Sequence, residues 1–217
     1  MQNKKSSLLK DAFALFAITL VAALALGFVY EITKEPIAKK EAEVKAKAYA
    51  AIYPEATMVD DKNEDLNNRV KTSADFLEES GFSGTTINEV CIAKDSNDNP
   101  IGYVMTITSH EGYGGDIKFT MGVKADGTLT KIEFVTIAET VGYGMEATKE
   151  PFKDQFTEVN TDQLTLIKYG VDKTSPSEIN AISGATRTSK AVTNTVNAGL
   201  AFVSELINEG IGGVVRE

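Results

Sequence analysis

Four hydroxyl side chains and one arginine fall within seven residues, Ser183-Gly184-Ala185-Thr186-Arg187-Thr188-Ser189, directly ahead of a helix-period run. From Thr188 onward, Ala191, Val192, Thr195, Val196, Leu200, Val203 and Ile207 recur at three- and four-residue steps. That spacing predicts a helix that begins at or near Thr188 and turns one apolar stripe to a core. The first turn of such a helix has N–H groups without internal partners and carries the positive end of the helix dipole, which suits a phosphate or another anion. Gly184 can take a positive φ in a tight turn, Ala185 leaves space beside it, and Thr186 then offers a hydroxyl where negative charge is favoured. A plainer reading competes with this one: Ser and Thr are common N-caps, and the segment is then only a helix start.

Two glycine-rich segments upstream are the other candidates. His110-Glu111-Gly112-Tyr113-Gly114-Gly115 is either a plain loop or a backbone able to approach a planar ligand closely. Glu139-Thr140-Val141-Gly142-Tyr143-Gly144-Met145 follows a predicted strand and precedes a predicted short helix, Ala147 to Phe156. Other chemistries find little support. A single histidine, His110, with no G-x-S-x-G around any serine argues against a Ser-His-Asp site. One His and one Cys have no metal-ligand spacing. Cys91, flanked by Val90 and Ile92, reads as a small strand residue, and alone it cannot form a disulfide within the chain. A net charge of -9 without a basic cluster excludes a nucleic-acid surface.

The elements that must position these segments form an α+β pattern. Ile87 to Lys94 and Ile101 to Ser109 are β-rich runs around the turn 95–100, which predicts a hairpin. Asp116 to Lys124, a turn at 125–128 and Leu129 to Ile137 continue a mixed or antiparallel sheet with flanking helices. Leu164 to Lys168 is a further short strand, whereas Asp60 to Arg69 and Asp172 to Ala181 are polar enough to be loops. Ala12 to Tyr30 is a charge-free run of 19 residues and is expected to cross a membrane. A cleaved signal peptide, with Ala23-Leu24-Ala25 near the cut, is the alternative, but the run exceeds the usual apolar region of a signal. Lys4, Lys5 and Lys10 place residues 1–11 in the cytoplasm by the positive-inside tendency, and the domain on the other side. Residues 31–54 read as a connecting helix. Pro36 stands in its first turn and Pro54 after its end, and Ile37, Val44, Ala48, Ala51 and Ile52 share a side. Residues 55–217 form the domain.

The three candidate segments, in this order, resemble the FMN-binding domain family over roughly Ile87 to the end of the last helix. In that family the Thr of SGAT carries FMN through a phosphoester, which implies Thr186 as acceptor here, with Ser183, Gly184, Ala185 and Thr188 around it. The family's ETPGLG loop, which lines the flavin, corresponds to Glu139, Thr140, Gly142, Tyr143, Gly144 and Met145, with Val141 in place of the proline and Tyr143 in place of the leucine. An aromatic there would alter stacking and solvent access, unless Tyr143 only packs the loop. A histidine usual two places before the Glu is Ile137 in this chain, so no role passes to it. The resemblance further implies that Tyr113 and Gly114 approach the flavin. Lys168 is either a holder of the flavin or its phosphate, or an ordinary surface lysine. KEPFKDQF, residues 149–156, is also similar to the family. A single membrane helix before such a domain, together with GYGG and a short chain, resembles the G subunits of Rnf electron-transport complexes, with the C subunits of sodium-pumping quinone reductases second. This implies an electron relay without catalytic acid or base, coupled elsewhere in the complex to Na⁺ or H⁺ movement. The implied partners are the other Rnf subunits, above all the membrane subunits and the other flavin subunit, and a flavin transferase for maturation. A membrane-tethered interaction domain without cofactor is the remaining alternative.

Overall fold

The computed structural model describes residues 2–54, 56, 58–60 and 63–214. By internal packing the chain divides into two compact units, Met1–Val44 and Lys45–Glu217. Helix α1, Gln2–Ile52, is continuous through Pro36, where the sequence predicts the start of a new helix. A proline inside a helix costs roughly 3 kcal/mol, but long runs of strong helix formers on both sides offset it. Within α1, Lys10–Ile37 is apolar and long enough to cross a bilayer, and none of its most apolar stretch is buried in the protein. The side chains of Lys4, Lys5, Val44 and Ala48 lie outside the described residues.

The second unit is built on a six-stranded antiparallel sheet in the order β1-β2-β3-β4-β5-β6. The strands are β1 Met58–Asp60, β2 Thr85–Lys94, β3 Pro100–Ser109, β4 Ile117–Lys124, β5 Thr128–Ile137 and β6 Val159–Asn160. The β2–β3 hairpin closes because Asp95 accepts from the backbone N–H of Asn97 and Asn99 at 2.8 and 2.9 Å. Expectations of strands at 87–94, 101–109, 116–124 and 129–137 hold to within a residue or two. Two very short strands, β7 Thr165–Ile167 and β8 Glu178–Asn180, pair in parallel, so part of the expected 172–181 loop is a strand.

Helix α5, Thr186–Asn208, covers one face of the sheet and begins two residues earlier than the apolar period suggests. Val192, Val196, Phe202 and Val203 are buried along it, each contributing roughly 1.5–3 kcal/mol by removal from water. Gly199 lets the helix close onto the strands, because a Cβ there would lie 2.4 Å from the Met121 sulfur and 3.0 Å from that of Met105. The segment expected as a loop at 60–69 instead contains the end of β1 and most of helix α2, Glu64–Lys71; Asp61 and Lys62 lie outside the described residues. Asn63 caps α2 by accepting from the Leu66 N–H at 2.9 Å. Arg69 ties the helix to α5 through Glu205 and Glu209 and lies over the Phe202 ring. A second short helix, α3 Ser73–Glu79, follows and sets Phe76 edge-on to Phe202. The single helix expected over 147–156 is broken into a 3-10 turn, the four-residue helix α4 Glu150–Lys153, and another 3-10 turn. Pro151 has no N–H with which to continue the first turn, so the chain extends at Lys149 and restarts.

The other face of the sheet meets the C-terminal end of α1. Tyr53 packs with Ala93 and Val104, and its hydroxyl donates to the Ile101 carbonyl at 2.8 Å. Cys91 is buried there, 3.7 Å from the Tyr49 hydroxyl, as a small strand residue should be. Gly102 makes this approach possible, since a Cβ would stand 2.3 Å from the Val123 carbonyl oxygen and 2.5 Å from the Tyr53 hydroxyl. Gly102→Ala is expected to destabilise the domain by about 1–3 kcal/mol, the usual cost of forced overpacking, read as a lower urea midpoint for the detergent-solubilised chain.

Candidate functional site

Strand register gathers the site. Ser109 pairs with Ile117, and Ile117 with Ile137, so the 110–116 loop and the segment after β5 leave the sheet side by side at one end. The first turns of α5 meet that end as well. Arg187 Nε donates to the Glu111 carbonyl at 3.1 Å, and Asn194 donates to the Glu111 carboxylate at 3.3 Å. The three segments singled out by residue type therefore converge from separate parts of the chain.

Their junction encloses a cavity of about 390 Å³ lined by Tyr113 from the first segment, by Glu139, Thr140, Tyr143 and Gly144 from the second, and by residues 184–188 from the third. This volume lies within the roughly 300–1,000 Å³ of small-molecule sites. Two close approaches hold the walls together. Glu139, almost fully buried, accepts from the Tyr113 N–H at 2.7 Å and so ties the second segment to the first. Gly144 gives that carboxylate and Thr188 room, because a Cβ would lie 2.6 Å from Glu139 Oε2 and 2.8 Å from Thr188 Oγ1. Gly184 takes a φ of +72° in the turn closed by the Ala185 N–H to Ile182 carbonyl bond, and the Tyr143 ring lies where its Cβ would be, at 3.1 Å.

The mouth of α5 is left open to an acceptor. Ala185 stands at the N-cap position and supplies no side-chain bond. Ser189 instead braces the turn from inside, donating to the Ala185 carbonyl at 2.9 Å and accepting from the Ile182 N–H at 2.9 Å. The backbone N–H groups of Thr186, Arg187 and Thr188 have no acceptor among the described residues. Thr186 is exposed, and its hydroxyl makes no hydrogen bond among the described residues. Neither Thr186 nor Thr188 is an N-cap, so the plainer reading of these two threonines fails on geometry. An uncapped N-terminus beside a free hydroxyl and the Arg187 guanidinium can bind a phosphate and present an oxygen to its phosphorus.

Other expected site residues lie around this cavity without lining it. Ser183 and Gly142 face an adjoining cavity of about 350 Å³, and Lys168 lines a third of about 230 Å³ that shares Gly184 and Thr186 with the first. Gly114 sits under the site, where a Cβ would strike the Ala138 carbonyl at 2.0 Å. Met145 is half-buried in the 3-10 turn, with its N–H on the Thr140 carbonyl at 3.1 Å. Two residues of the site region have no role assigned by sequence reasoning. Arg187 carries a signal, being a cation next to Thr186 in the third segment. Tyr169, in the turn after β7, carries none.

The FMN-binding domain family matches residues 112–201, a stretch that includes the second and third segments and the Gly112-Tyr113-Gly114-Gly115 part of the first. Among curated proteins, the chain is 30% identical over 197 residues to the G subunit of the Na(+)-translocating ferredoxin:NAD(+) oxidoreductase complex of Acetobacterium woodii, covering 91% of this chain and 92% of the relative. It is 30% identical over 194 residues to the G subunit of the proton-translocating ferredoxin:NAD(+) oxidoreductase complex of Clostridium ljungdahlii, covering 86% and 90%. Among solved structures, NqrC of Shewanella oneidensis matches with a TM-score of 0.47 at 20% identity, over 54% of this chain and 59% of that one.

Replacing Glu139 by Ala removes a charge-assisted bond of about 1.5–3 kcal/mol and frees the 110–116 loop. Amide hydrogen exchange at Tyr113 is expected to rise at least tenfold while exchange within β4 stays unchanged. With three segments gathered into one site and relatives matched along nine-tenths of its length, the chain belongs to the family of FMN-binding-domain proteins that are named as the G subunits of ion-translocating oxidoreductase complexes.

Proposed function

We propose that the chain is the electron-relay subunit of a membrane-bound Rnf-type ferredoxin:NAD oxidoreductase that couples electron flow to movement of Na⁺ or H⁺, and that it holds FMN by a phosphoester at Thr186. The observation that carries this reading is the exposed Thr186 hydroxyl beside three N–H groups at the mouth of α5, all without a partner among the described residues and facing a cavity walled by the other two segments. Relatives named as G subunits, matched over most of the chain, support the assembly.

The residues fit the group. A phosphodiester monoanion at the α5 terminus would be held by the N–H groups of residues 186–188, the helix dipole and Arg187, which together offset its charge. The exposed rings of Tyr113 and Tyr143 offer faces to a planar ring system, and Gly144 and Gly184 let the backbone approach it. Lys168, on the neighbouring cavity, adds a second cation within the same surface. Attachment forms a bond from Thr186 Oγ to phosphorus. The hydroxyl proton leaves to a base, and an activated riboflavin-phosphate donor loses its leaving group, which requires a separate flavin transferase. When bound, FMN supplies the redox chemistry, and the protein contributes position and electrostatics. This assignment includes no catalytic acid or base.

Lys4, Lys5 and Lys10 ahead of the apolar stretch support an N-terminus in the cytoplasm and a flavin domain on the opposite face. A bond that does not dissociate has a purpose there, because the cytoplasmic pool cannot replace a lost cofactor.

Thr186→Val, produced in a host with the transferase, is expected to lose all polypeptide-bound flavin fluorescence on a denaturing gel. Its stability should change by no more than about 0.5 kcal/mol, since the hydroxyl is exposed and unbonded. Flavin that stays with the Thr186→Val band refutes the acceptor, and a wild-type band without flavin favours a cofactor-free interaction domain.

A further inference from the structure

Outside the membrane-spanning helix, the exposed large apolar side chains among the described residues are Tyr113, Val141, Tyr143, Tyr169 and Val171. They come from three separate turns, yet they ring one place. Tyr113 and Tyr143 line the main cavity, Tyr169 lines both neighbouring cavities, Val141 adjoins Gly142 on one of them, and Val171 stands two residues beyond Tyr169. The three cavities share walls, the first and third through Gly184 and Thr186, the second and third through Tyr169, Ala181, Ile182 and Ser183. With exposures from 49% to 83%, these side chains contribute almost nothing to the core. An apolar cluster that serves no folding purpose marks a surface that another molecule covers.

The charge around this rim is opposite to that of the chain. Acidic residues outnumber basic ones by 31 to 22 overall, but Arg187, Lys149 and Lys168 line the three cavities against only Glu139 and Glu146. Glu139 is buried on the Tyr113 N–H, and Glu146 is held by Lys149 at 2.7 Å. Arg187 and Lys168 are exposed, and among the described residues neither has a carboxylate partner. Tyrosine and arginine around a depleted acidic field are the composition of a protein interface. Tyrosines and cations also suit lipid headgroups, but here they surround a recess of confluent cavities, whereas a membrane-binding face projects an apolar wedge.

We propose that this rim is the docking surface for another protein subunit of the same complex, one that presents an apolar edge flanked by carboxylates. The proposal rests on the functional reading above, since it is the relay that requires a neighbour to come close to the site. Docking there covers the mouth of the cavity and replaces water around it with protein, with the exposed Lys168 charge fixing orientation.

Hydroxyl-radical footprinting by mass spectrometry tests it on the full chain in three states: in the assembled complex, alone in phosphatidylcholine vesicles, and alone in vesicles rich in phosphatidylglycerol. The expected result is at least fivefold protection of Val141, Tyr169 and Val171 in the complex alone, the flavin being attached in all three states. In the double variant Val141→Asp/Val171→Asp the protection of Tyr169, and co-purification with the other subunits, should fall at least tenfold, while intact mass shows the flavin adduct at wild-type level. Protection already present in the phosphatidylglycerol vesicles assigns the rim to the membrane surface and overturns the proposal. So does equal labelling in all three states, or a double variant that assembles as the wild type does. Loss of the flavin adduct with rim protection intact counts against the cofactor reading and leaves the docking surface standing.

Discussion

The site depends on one constraint: antiparallel pairing of β3, β4 and β5 in a register that ends all three at the same edge, with α5 laid across them. Side-chain alternation fixes that register, because a slip of one residue would turn Tyr103, Met105 and Ile107 away from α5 and bring Val104, Thr106 and Thr108 toward it. Once the register is set, the 110–116 loop and the 138–143 loop have no choice but to emerge together. The burial of α5 then brings its N-terminus to them. Glycines at 112, 114 and 144 follow from the crowding this creates, since in each case a Cβ would meet a backbone carbonyl or the Glu139 carboxylate at 2.6 Å or less.

The N-terminus of α5 is unusual in what it lacks. Helix starts are commonly capped by their own side chains, and α2 is capped in this way by Asn63. In α5 the cap position is an alanine, and the nearby serine is spent on holding the turn. Leaving three donors and an exposed hydroxyl together costs some helix stability, which the long buried stripe of α5 offsets. A phosphate recovers that loss. The same arrangement that weakens the helix start thus makes it a place where a bound anion's charge is welcome.

How legible is this in the residues themselves? The three segments are legible because glycine, hydroxyl and carboxylate patterns report local backbone needs, and the hairpins and α5 because their apolar periods are long. Residues 60–71 are not. Helix α2 buries only Leu66 and is held by its Asn63 cap and by Arg69 pairing with Glu205 and Glu209, more than 130 positions away. No local pattern announces such partners. The strands β1, β6 and β8, two or three residues each, are too short to show alternation. Pro36 and Pro151 show the limits of a local rule. The first lies within a helix that its flanks sustain, whereas the second breaks one that has too few turns to resist. Tyr169 becomes part of the site region only through tertiary placement, so its role cannot be read from its neighbours.

The proposed attachment of FMN at Thr186 comes down to a single covalent bond. Proteolysis of the matured chain from native membranes, followed by tandem mass spectrometry with electron-transfer fragmentation, locates it directly. The account predicts one modified peptide, containing residues 183–189, with the mass of FMN less water assigned to Thr186. The same mass on Ser183, Thr188 or any other residue, or an unmodified peptide from a chain whose complex is active, contradicts it.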